Sequence, residues 1–195
     1  MSTAVRVVLH HEVTLEAVGV LSWREDWNTV ALSRKGELPE REVWQTKNGD
    51  TVITFLGDHI TGLRYLVIDG AQQESVLDLV TGQFPCWTHE EALDFLSQAR
   101  DRDEKIHGIY LSAVSAPFRE GGRLAADFRE ASADPDPDVR HALLVAIGYL
   151  GSWPSLRELA ASMRSDDPDD GVRRDAGYLL EGLELDAVHG GGTSG

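Results

Sequence analysis

One cysteine in 195 residues leaves this chain without an internal disulfide, so its stability must come from buried apolar surface. A lone Cys86 fits a reducing compartment, and cytoplasmic residence is the expectation. No apolar run approaches the ~20 residues that a membrane helix needs, and the N-terminus lacks the basic-then-apolar pattern of a secretion signal. Positive charge is scarce as well: 18 Lys and Arg face 33 Asp and Glu, for a formal net charge of −15. Nucleic-acid binders carry a basic stripe, whereas the cations here are scattered among acids. That argues against DNA or RNA as a ligand and for a basic protein partner.

Motifs with chemistry in them are also missing. There is no phosphate-binding loop, nucleophile-elbow serine or zinc-protease helix, and Gly57 to Gly62 lacks the lysine that a phosphate loop requires. His10 and Glu12 would share a strand face as two of a metal's ligands, but the spacing supplies no third, not even His59. Asp58-His59 reads as a loop, because adjacent side chains diverge. Cys86 between Pro85 and Trp87 reads as a small buried hydrophobe. Trp23, Trp27 and Trp44 are expected to fill a core. No catalytic residue, metal or cofactor is expected, and the protein is read as a non-enzyme.

What the chain does have is a period. Asp134-Pro135-Asp136-Pro137-Asp138-Val139-Arg140 reappears 33 residues on as Asp167-Pro168-Asp169-Asp170-Gly171-Val172-Arg173, and 33 residues back as the weaker copy Asp101 to His107. A fixed period of this size marks stacked units that bury their apolar faces only against each other. Each copy holds two helices. The second carries apolar residues at helical steps: Ile106, Ile109, Tyr110, Ala113 and Val114; then Val139, Ala142, Leu143, Ala146 and Ile147; then Val172, Ala176, Leu179 and Leu180. The first helices fall near 90–100, 123–133 and 155–163, with Phe95 and Phe128 again 33 apart. Asp136 followed by Pro137 reads as an N-cap and first helical position.

Residues 88–185 thus resemble the HEAT-repeat superfamily, on Asp136-Pro137-Asp138-Val139-Arg140 with Ala142, Ala146 and Gly148, and on Asp169, Val172-Arg173 and Ala176. The resemblance implies an α-solenoid of about three helical hairpins. It also implies a ladder between repeats that would fall to Asp136, Arg140, Asp169 and Arg173. The first copy departs from the pattern, with His107 in the arginine position. The family includes scaffolds, inhibitors, pigment lyases and DNA glycosylases, so it does not fix a function.

Residues 1–83 have a different period. Short runs rich in valine, isoleucine, threonine and aromatics at 4–9, 18–23, 29–33, 42–46, 51–56 and 63–68 predict strands. Asn48-Gly49-Asp50 predicts a hairpin turn, and 72–81 a helix. The fold class expected is therefore α+β: a small antiparallel, strand-rich domain followed by the helical repeats, with a disordered tail at 188–195. Stacking should bring the acidic corners together as a rim of Asp101, Asp103, Asp134, Asp138, Asp166 and Asp170, attracting a basic protein. An adaptor or regulatory module follows. The alternatives are an immunity-type inhibitor of a nucleic-acid-targeting toxin, or an enzyme of the lyase or glycosylase type using Asp58, His59 or Trp153.

Overall fold

The computed structural model describes residues 4–33, 36, 38–151 and 153–190. The chain is α+β and divides into two compact units, Met1–Glu91 and Ala92–Gly195. The first holds β1 (Val5–Leu9), α1 (Leu15–Arg24), β2 (Asn28–Leu32), β3 (Glu40–Gln45), β4 (Thr51–Gly57), β5 (Arg64–Gly70), α2 (Gln73–Gln83) and β6 (Cys86–Trp87). These strands form one antiparallel sheet in the order β2-β3-β4-β5-β1-β6. Gly49 turns the β3–β4 hairpin at a φ of 71°, which costs a glycine nothing, and donates its N–H to the Thr46 carbonyl at 2.8 Å. Register then sets which side chains share a face: Val7, Leu66 and Phe55 align across three strands, and Ile68, Ile53 and Trp44 across another three. This face is the buried one, packed on Val18 and Leu21 of α1 and on Val76 and Val80 of α2.

Two expectations fail here. Residues 18–23 are not a strand but part of α1, so this unit has two helices. Thr14 caps α1 by accepting from the Ala17 N–H at 3.2 Å, and Val18 and Leu21 bury at a helical step while Val20 faces water. A cap and a three-residue step outweigh the β preference of a valine-rich run. Trp23, on the outer side of the same helix, is 83% exposed, so only Trp27 and Trp44 join the core.

The remaining helices are α3 (His89–Gln98), α4 (Arg102–Val114), α5 (Gly122–Ala131), α6 (Pro137–Leu150), α7 (Pro154–Asp166) and α8 (Asp170–Gly190). They fall in pairs along the 33-residue period. Thr88 and Glu91 exchange hydrogen bonds as a capping box at the start of α3. The second unit's core gathers Ile109 of α4, Leu124 and Phe128 of α5, Leu143 and Ile147 of α6, Leu156 of α7 and Val172 of α8. Central α6 packs against both α4 and α8. The tail expected from 188 is helical through Gly190, and the rest of it, 191–195, lies outside the described residues. No helix among the described residues is long and apolar enough to cross a membrane.

Candidate functional site

The sequence period returns in the helical unit as a period of hydrogen bonds. Asp134 Oδ1 accepts the Asp136 N–H at 2.9 Å, and Asp167 Oδ1 accepts the Asp169 N–H at 2.9 Å. Arg140 Nη1 donates to the Asp134 carbonyl, as Arg173 Nη1 does to the Asp167 carbonyl. Asp136 and Asp169 cap α6 and α8, accepting from the N–H groups of Asp138 and of Gly171 and Val172. These bonds close each acidic corner into the same shape.

Across copies, Arg140 makes a bidentate pair with Asp167: Nε and Nη2 reach the two carboxylate oxygens at 2.8 and 2.9 Å, with the side chains 5% and 2% exposed. The ladder expected through Asp136, Arg140, Asp169 and Arg173 is thereby corrected. Asp169 accepts the capping amides, and the carboxylate that Arg140 meets across copies is Asp167. His107, in the arginine position of the first copy, cannot serve. Burial holds its pKa below the ordinary histidine value, and its ring meets Phe95 edge-on at 5.5 Å. Lys105 supplies the cation instead, with Nζ 2.6 Å from Asp134 Oδ2.

The acids expected to form a rim have mostly local employment. Asp101 caps α4 through the Glu104 N–H. Asp138 meets Arg102 Nη2 at 2.7 Å, and Asp170 pairs with Arg173. Burial pushes the Asp134 carboxyl up, but the bonds from Lys105 and the Asp136 amide outweigh it and hold it below the usual aspartate range. Asp103 and Asp166 stand exposed, with no ion pair among the described residues.

Between the first two copies lies a pocket of about 210 Å³. Leu96 of α3, Ile109 of α4, Ala131 of α5 and Val139 of α6 give it apolar walls, and Lys105, Asp127, Glu130 and Asp134 give it charge. Asp127 Oδ2 is buried and has no hydrogen-bond partner among the described residues. Burial raises the Asp127 pKa, Arg123 opposes the rise, and Glu130 adds to it. Asp127 and Glu130 stand within a helix and outside the acidic corners, so the repeat of those corners does not single them out. The available signal was an acid at helical steps from Leu124 and Ala131, on the edge of an apolar stripe.

The sheet unit offers other chemistry. Burial alone pushes the Cys86 thiol up to about 11, which makes it inert at neutral pH. His10 lies just past β1, stacked on Trp87 at 4.7 Å and 4.0 Å from Glu12. Asp58 is buried, its Oδ1 accepting the Ile60 N–H at 2.9 Å to shape a turn, while His59 points to solvent. Among the described residues no group of three or more His, Cys, Asp and Glu side chains is arranged to hold a metal ion. A hollow of about 650 Å³ is bounded by Leu15, Glu16, Glu40, Glu42, Asp58 and Arg64. Trp153, in the helical unit, is a buried core residue.

No family profile, curated protein or solved structure matches this chain.

Proposed function

We propose that this protein is a non-enzymatic binding module, an adaptor or regulatory protein, whose helical unit is a HEAT-like array that receives a basic protein in the cytoplasm. The array reading is supported by backbone and carboxylate bonds that recur at the sequence period. The observation that carries the partner is that acidity outlasts internal pairing: Asp103 and Asp166 remain exposed without ion pairs among the described residues, in a chain of net charge −15. Surplus charge of one sign speeds encounter with the opposite sign and weakens in salt. An inhibitor of a nucleic-acid-targeting toxin is the narrower version of the same reading, with one small basic partner bound tightly.

The test captures partners from an extract of the native source on the tagged full-length chain and on a variant with Asp103→Asn, Asp138→Asn and Asp166→Asn. These changes leave the caps and the buried pairs intact. A basic protein held by the wild type, released by salt and lost with the variant, at unchanged circular dichroism, is the expected result. Equal capture by both would remove the acidic rim as the contact. Capture of nothing would sink the protein-binding reading and turn attention to the hollow beside Glu40 and Glu42.

A further inference from the structure

We propose that the pocket between the first two copies is the socket for one arginine or lysine side chain of that basic partner, with Asp127 and Glu130 as its counter-charge. The inference rests on the partner reading above and names the chemistry that would anchor it. Size is the first argument. At about 210 Å³ the pocket falls short of the ~300–1,000 Å³ usual for small-molecule sites, and suits a single anchoring side chain.

Charge is the second. Lys105 and Asp134 neutralise each other at 2.6 Å, and Arg123, bonded to Asp94, also acts on Asp127, so Asp94, Asp127 and Glu130 outnumber the one cation beside them and the pocket keeps a negative surplus. The third is the state of the Asp127 carboxylate: it lines the pocket half-buried, with one oxygen shut off from water and without a hydrogen-bond partner among the described residues, and a carboxylate so desolvated gains from a cation placed against it. Leu96 and Ala131, both part-exposed, form the apolar wall that the aliphatic stem of arginine or lysine covers while its head stays with the acids. A neutral apolar anchor would gain nothing from the acids.

Butylguanidinium, an arginine side chain with its Cα as the end carbon, is the probe, and butylurea is its neutral isostere. Titrated into the ¹⁵N-labelled full-length chain, butylguanidinium should shift the amides of Ser97, Ala99, Ile109 and Ala131 saturably, and butylurea should bind weaker by about tenfold or more. Asp127→Asn, nearly the same shape, should weaken butylguanidinium by about tenfold. Ala131→Leu, which fills the cavity, should abolish it; if that variant unfolds, Asp127→Asn decides alone. Shifts spread over Asp101, Asp103 and Asp166, or binding indifferent to Asp127→Asn, would overturn the assignment. The two readings fail separately. A basic protein captured without pocket binding refutes the socket alone, and pocket binding without a captured protein refutes the partner reading while the cation site stands.

Discussion

Arg140 is the side chain on which the second and third copies meet. Its guanidinium is 5% exposed and spends three N–H groups on two acceptors, the Asp167 carboxylate and the Asp134 carbonyl. A buried pair is not worth much compared with apolar residues of the same volume, but half of one is expensive, because the remaining charge has no water around it. Arg140→Ala or Asp167→Ala should therefore lower the unfolding free energy by about 3–5 kcal/mol. Arg102→Ala removes a half-exposed pair with Asp138 and should cost no more than ~1 kcal/mol. Urea titrations followed by circular dichroism separate the two, and similar costs would mean that the Arg140–Asp167 pair is screened in solution. The first copy solves the same problem with different residues. Burial disfavours a charge on His107, and Lys105, one helical half-turn away, supplies the charge that reaches Asp134.

Among the elements, α3 and α4 come close at Gly108, where an added Cβ would lie 2.9 Å from the Leu96 Cα. Backbone atoms cannot give way as a flexible side chain can, so the two helices would have to part. Although alanine is the better helix former by up to ~1 kcal/mol, Gly108→Ala should destabilise by about 1–3 kcal/mol through overpacking. Gly182, in α8 with open space around it, is the control: Gly182→Ala should be neutral or stabilising. If both changes stabilise the protein, the close approach of α3 to α4 is wrong. The helix pairs of the second unit were legible in the sequence because apolar residues at three- and four-residue steps permit only one element type. Residues 18–23 were not. A run such as Val18-Gly19-Val20-Leu21-Ser22-Trp23 alternates as well as it steps, and the Thr14 cap together with packing on the sheet face chose between them.

Across the whole molecule, the net charge of −15 opposes every compact state through self-repulsion. Screening should relieve it: the thermal midpoint is expected to rise between 10 mM and 500 mM sodium chloride, since the innermost pair, Arg140–Asp167, lies beyond the reach of solvent ions. A midpoint that falls with salt would show that exposed pairs such as Arg102–Asp138 and Lys47–Asp26 outweigh the repulsion. Composition and periodicity by themselves determined the α+β class, the strand-rich first half, the helix pairs of the second and the acidic corners that cap them. Each of these depends on residues a few positions apart in the chain, where local geometry leaves little choice. The tertiary structure decided the rest. It chose Asp167 over Asp169 to meet Arg140, spent Asp134, Asp138 and Asp170 on nearby cations, and set Asp127 and Glu130 of one copy beside Leu96 and Ile109 of the copy before. Except for Asp170 with Arg173, three positions apart, these pairings join residues of different copies, and the distance between them is fixed only by how the helices pack.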